Sequence, residues 1–143
     1  MKFKFIKTTD KEETIIYAKE KNELINAIES MILQYDNSLV GYKDDEFKEL
    51  NILEIDCFYT QNDKVYARVK DEEFIVKKRL YELNEIYKEY FMYINQGCLA
   101  NIKRIERFRV SIGGSLLVVF KSGYEDYVSR RQIKNVKERI GVK

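Results

Sequence analysis

In the run DYVSRRQIKN, residues 126–135, Ser129 stands three positions ahead of Gln132, with Arg130 and Arg131 between them. Serine and glutamine at that spacing predict a capping box, in which both side chains meet free N–H groups of a first helical turn. The two arginines then fall in that turn, where the helix end already carries roughly half a positive charge and each cation costs about 0.3–1 kcal/mol. A local rule broken in this way points to function. An anion held at the helix start would resolve the conflict. Binding of an anion is therefore the chemistry these residues suggest. The plainer reading is a surface pairing of Arg130 and Arg131 with Glu125 and Asp126, worth at most about 1 kcal/mol.

Other chemistry is poorly supplied. The 143-residue chain has no histidine, which removes the usual general base and the commonest metal ligand. It has no GxxxxGK[ST] or GxGxxG phosphate loop. Cys57 and Cys98 lie far apart without paired spacing and read as reduced packing residues, not as a disulfide or zinc site. The acidic KDDEFKEL reads as a solvated hairpin turn in preference to a divalent-metal site. No cofactor and no metal are expected, and an enzyme ranks third among the readings, because only Asp, Glu and Lys could carry its chemistry. No run approaches the roughly eighteen apolar residues of a membrane span, and MKFKFIKTTDKEET lacks a signal-peptide core, which predicts a cytoplasmic protein.

The net charge of +2 conceals an asymmetry. Residues 1–87 hold 14 basic against 19 acidic side chains, net −5, whereas residues 88–143 hold 12 against 5, net +7. A basic C-terminal part within a near-neutral chain suggests an anionic partner for that part alone.

The elements that must position these residues follow from periodicity. ELINAIESMIL places Leu24, Ile25, Ile28, Met31 and Ile32 on one stripe of a helix over about 20–33, flanked by strand-like KFKFI and TIIYA and followed by a turn at QYDNS. With LVGY these make a small α/β extension, residues 1–49. From residue 51 the period is two: ILEIDCFYT, KVYARVK, EFIVKKR, RFRVSI, SLLVVFK and YEDYV are six strand candidates, separated by turn signals. In KVYARVK, Val65, Ala67 and Val69 face one way and Tyr66, Arg68 and Lys70 the other, which predicts half-buried antiparallel strands with basic outer faces. Helices are expected near 79–87 and 129–140. The second would bury Ile133, Val136 and Ile140 and leave Arg130, Arg131, Lys134 and Lys137 to solvent or ligand. Lys103 and Arg104 read as a solvated edge, and Tyr90 and Tyr93 as core or rim aromatics.

This order of pieces resembles a LytTR-type DNA-binding domain over residues 50–143. Leu80 and Leu83, Phe91, Leu99, Asn101, Ile105, Ser129 and Arg130 match the ordered pattern of that family, while Tyr93, Gly97 and Ala100 replace its usual Arg, Ser and Val. The resemblance implies a mostly β fold with an α+β N-terminal extension, in which three small antiparallel sheets stack with short helices and loops enter successive grooves of double-stranded DNA. It places three regions on the duplex: Asn62, Asp63 and Lys64; Asn95 and Gln96 in the loop after Phe91; and Ser129, Arg130, Arg131 and Gln132. Arg131 is expected to read a base, with Gln96 next, since Arg suits guanine and Asn or Gln suits adenine. Lys64, Arg79 and Lys134 are expected on phosphates. The resemblance is to the short standalone kind without a receiver domain, which acts as a homodimer on repeated sites and is often encoded beside a small membrane protein, an expected further partner. A competing reading is a non-catalytic adaptor or sensor whose basic C-terminal face docks an acidic protein or membrane surface.

Overall fold

The computed structural model of the protein describes residues 2–7, 13–36 and 39–141. Among these the elements run α1 (Glu23–Asp36), β1 (Leu39–Lys43), β2 (Glu46–Leu50), β3 (Cys57–Gln61), β4 (Lys64–Val69), β5 (Glu72–Val76), α2 (Leu80–Ile86), β6 (Phe91–Asn95), β7 (Cys98–Asn101), β8 (Ile105–Val110), β9 (Leu116–Phe120), β10 (Glu125–Val128) and α3 (Arg130–Ile140). The mostly β architecture with short helices is as expected. Among the described residues there are two hydrogen-bonded sheets, not three: one of seven strands in the order β2-β1-β5-β4-β3-β7-β6, and one of three, β10-β9-β8. The hairpins fuse because β3 pairs with both β4 and β7, and β1 pairs with β5. The β1–β2 hairpin therefore continues the sheet that the later strands build.

Two cores lie on opposite faces of the seven-stranded sheet. On one face Phe58, Ala67, Phe74, Val76 and Leu99 pack with Leu80 and Leu83 of α2. On the other, Cys57, Tyr59, Met92, Ile94, Cys98 and Ala100 pack with Val118, Phe120 and Val128 of the small sheet and Val136 of α3. Alternation along β3 and β7 sorts their side chains between the two cores. Cys57 and Cys98 are free and buried, as expected.

Several expectations change. KFKFI (2–6) and TIIYA (14–18), read as strand-like, form no strand. Their alternation is a local property, and a strand needs a partner. The α1 helix begins later than expected and takes in the start of QYDNS; residues 37–38 of that turn lie outside the described residues. Strands β6 and β7 were not among the six candidates. Their residues are buried on both faces, so FMYIN and CLAN lack the polar–apolar alternation that marks a half-buried strand. The outer face of β4 is not solvated either, since Tyr66 stacks on Tyr59 at 5.5 Å and the Arg68 guanidinium lies 4.2 Å from the Tyr124 ring centre. The small sheet covers them. Arg104 is no open edge: its Nε donates to Oδ1 of fully buried Asp56 at 2.9 Å.

Candidate nucleic-acid interface

Because neighbouring strands are antiparallel, β3 and β6 finish at the same end of the large sheet, where β4 begins and β5 finishes. That end carries the β3–β4 turn, the β6–β7 loop, the approach to α2 and, through a bond from Ser129 N–H to Ile94 C=O at 2.8 Å, the start of α3. Residues distant in sequence thereby share one rim.

Each piece has a local cause. Asn62 and Asp63, with φ of 52° and 61°, fill a two-residue turn between Gln61 and Lys64; both positions need the left-handed region that Asn and Asp tolerate. Asn95 closes the β6–β7 loop. Its Oδ1 accepts from Gly97 N–H at 2.9 Å, and its Nδ2 donates to Tyr127 C=O at 2.8 Å and Asp126 Oδ1 at 3.2 Å. The Thr60 N–H then donates to Gly97 C=O, and a Cβ on Gly97 would stand 3.0 Å from Thr60 Oγ1, so the loop is clamped onto β3. Asn95 is buried and spends its amide on this frame, whereas Gln96 beside it is exposed. Of the two, only Gln96 is placed to reach a ligand.

The loop, the end of β3 and β10 enclose an open cleft of about 730 Å³, lined by Gln61, Gln96, Asp126 and Tyr127 and floored by Tyr59 and Tyr124. Burial pushes the phenols of Tyr59 and Tyr124 well above their usual range, so both stay neutral at any physiological pH. Gln61 and Tyr127 were not singled out in the sequence. Gln61 follows directly from the turn at Asn62, but nothing local to Tyr127 announces the cleft.

Helix α3 starts where the sequence placed it, with Ser129 extended at φ −68° and ψ 153°. The capping box does not form: the Ser129 side chain makes no cap bond, and Gln132 Oε1 takes a long 3.5 Å contact from Asn135. The Ser129 backbone does the capping work, accepting from Gln132 and Ile133 N–H while its own N–H is held by β6. The first helical turn contains no acid. Arg130, Arg131 and Lys134 are exposed, Val136 is buried, and Ile133 and Ile140 pack on the second core. At the far end Arg139 donates to the carbonyls of Phe91 and Lys88, and Gly141 at φ 82° terminates the helix. The acids that could have neutralised the arginines are engaged elsewhere, Glu125 with Arg109 at 2.6 Å and Asp126 with Asn95.

Lys64, Lys78, Arg79, Arg130, Arg131 and Lys134 all sit at this end or one turn beyond it, and none has an ion-pair partner among the described residues. Arg79 is the outlier, since it leads into α2 on the first face of the sheet, whereas α3 packs on the second. Toward the opposite end four cations are paired, Lys43 with Glu72, Arg68 with Glu73, Lys103 with Glu29 and Arg104 with Asp56, while Lys70 in the β4–β5 turn is in no ion pair among the described residues. Among the described residues no group of acids and cysteines could hold a metal, and no helix is long and apolar enough to cross a membrane.

The family model of the LytTr DNA-binding domain matches residues 45–141. The chain belongs to that family. A LytTr domain thus spans the β2-to-α3 portion that carries the cationic rim. Its fold matches the LytTr DNA-binding domain of a response regulator from Bacillus cereus with a TM-score of 0.67 at 15% identity, over 73% of this chain and 98% of that one. Uncharacterized HTH-type transcriptional regulators from Staphylococcus aureus strains NCTC 8325 and N315 are each 30% identical over 141 residues, covering 96% of both chains. These relatives therefore match the N-terminal extension as well as the LytTr domain. In this chain strands separate every pair of helices, so the described residues contain no helix-turn-helix.

Proposed function

We propose that this LytTr protein is a cytoplasmic transcription regulator that reads duplex DNA with the cationic rim, and that residues 1–49 serve packing, dimer contact or sensing. The observation that carries the reading is that Lys64, Arg130, Arg131 and Lys134, none of them in an ion pair among the described residues, meet the exposed Gln96 at one end of the large sheet. Arg131 and Gln96 are assigned to base edges, with Asn62, Arg130 and Gln132 beside them. Lys64, Lys134 and Arg79 are assigned to phosphates, which position the protein without reading sequence. Asn95 and Ser129, placed on DNA by the sequence reading, are reassigned to holding the loop and the helix start. Asp63 at the turn tip would repel phosphate, which favours a cytosine amino group opposite it. Two copies on repeated sites would add their phosphate contacts.

The test is binding to duplexes from upstream of the protein's own gene against scrambled duplexes, at two salt concentrations. A preference that survives the higher salt supports the reading. Equal binding that salt abolishes would sink it and favour a basic face that docks an acidic protein or membrane surface, because counterion release alone carries no sequence information.

A further inference from the structure

The two edges of the seven-stranded sheet are treated differently. At one edge β6 is buried beneath α3 and β10. At the other, β2 pairs with β1 alone among the described residues: four of its five residues are exposed, and Phe47 keeps 73% of its surface in water beside Tyr42, 6.0 Å away. An uncovered edge with an apolar side chain is a template for another strand. The same chain carries strand-like sequence that has found no partner. In KFKFIK, Phe3 and Phe5 alternate with lysines and are 93% and 79% exposed, and Tyr17 of TIIYA is 91% exposed. On α1, which packs on the 3-10 turn at Ile52–Glu54, Leu24 and Met31 of the apolar stripe remain outside.

We infer that β2 of one copy accepts the segment 2–7 of a second copy as an added strand, with α1 and residues 14–18 covering the seam. Charge supports the match. The segment 2–7 holds three lysines and no acid, whereas residues 44–48, DDEFK, hold three acids against one lysine. Opposite charges across neighbouring strands stabilise the pairing, and like charges oppose the pairing of β2 with another β2. Phe3, Phe5 and Tyr17 of the donor and Phe47 of the acceptor, at roughly 150–250 Å² each, would supply about half of the roughly 1,600 Å² total of a stable interface, and the strand backbone, α1 and the lysine stems the rest. The β2 edge lies six strands away from β6, which supports the start of α3, so the paired copies keep their cationic rims free. The pairing does not depend on any DNA contact, and failure to find an operator would leave it standing.

The test uses the full chain. Lys4→Cys and Lys48→Cys variants are prepared separately, mixed, and treated with a short thiol cross-linker; Cys57 and Cys98 are fully buried and stay out of the reaction. The expected result is a product of twice the chain mass in the mixture, in excess of either variant alone. Sedimentation over a roughly hundredfold concentration range should show a dimer whose dissociation constant rises at least about tenfold in Phe5→Glu and in Phe47→Glu. Thermal melting checks that both variants fold. A monomer throughout, a dimer indifferent to both substitutions, or a mixture that cross-links no more than either variant alone would overturn the inference.

Discussion

At one end of the large sheet the cations stand without partners around a cleft; toward the other end four nearly equivalent side chains are locked to Glu72, Glu73, Glu29 and Asp56. The contrast teaches that charge count does not locate an interface. A lysine satisfied by a neighbouring carboxylate gains little by binding a phosphate, whereas an unpaired one loses only water and counterions.

Substitutions at the two ends should therefore separate stability from binding. Arg104→Ala leaves the fully buried Asp56 carboxylate uncompensated and should lower unfolding free energy by about 3–5 kcal/mol in urea titrations, with the salt dependence of DNA binding unchanged for the folded fraction. Asn95→Ala couples the two properties. It strips partners from Gly97 N–H and Tyr127 C=O and should cost about 1–3 kcal/mol of stability while freeing the Gln96 loop. Unaltered melting would refute its role as the clamp. Arg131→Ala should leave stability alone and lose about 1–3 kcal/mol on the preferred duplex, relaxing discrimination at one base pair. An equal loss on random DNA would make Arg131 a phosphate contact. Lys64→Ala should weaken all sequences alike and reduce the slope of log affinity against log salt by about one. The smallest effect belongs to Ser129→Ala. A side-chain cap is typically worth ~1 kcal/mol, but this serine makes no such bond, so the melting temperature should barely move.

Legibility in the sequence followed exposure. Strands β4, β5, β8 and β10 and helices α2 and α3 were readable because one face meets a core and the other carries polar residues, which leaves a period in the chain; the wholly apolar β9 was readable as a short run between turn signals. FMYIN and CLAN, buried on both faces, left none. KFKFI and TIIYA erred in the opposite direction, with a clear period and no neighbour inside the described residues. Ser129 illustrates a finer limit: its position as the cap was legible, but the direction of its hydroxyl depends on β6 holding its N–H.

The same division holds for the interface. The sequence by itself determined that the C-terminal part is basic, that two arginines open a helix without an acid in its first turn, and that Asn62 and Asp63 make a tight turn, since all three are properties of neighbours in the chain. Only the tertiary structure decided that Gln61, Gln96 and the start of α3 share one rim, that Asn95 belongs to the frame, and that Arg104 is inward while Arg131 is free. Those outcomes depend on which strands pair and which carboxylate lies within reach of which cation, distances that close through space between residues tens of positions apart.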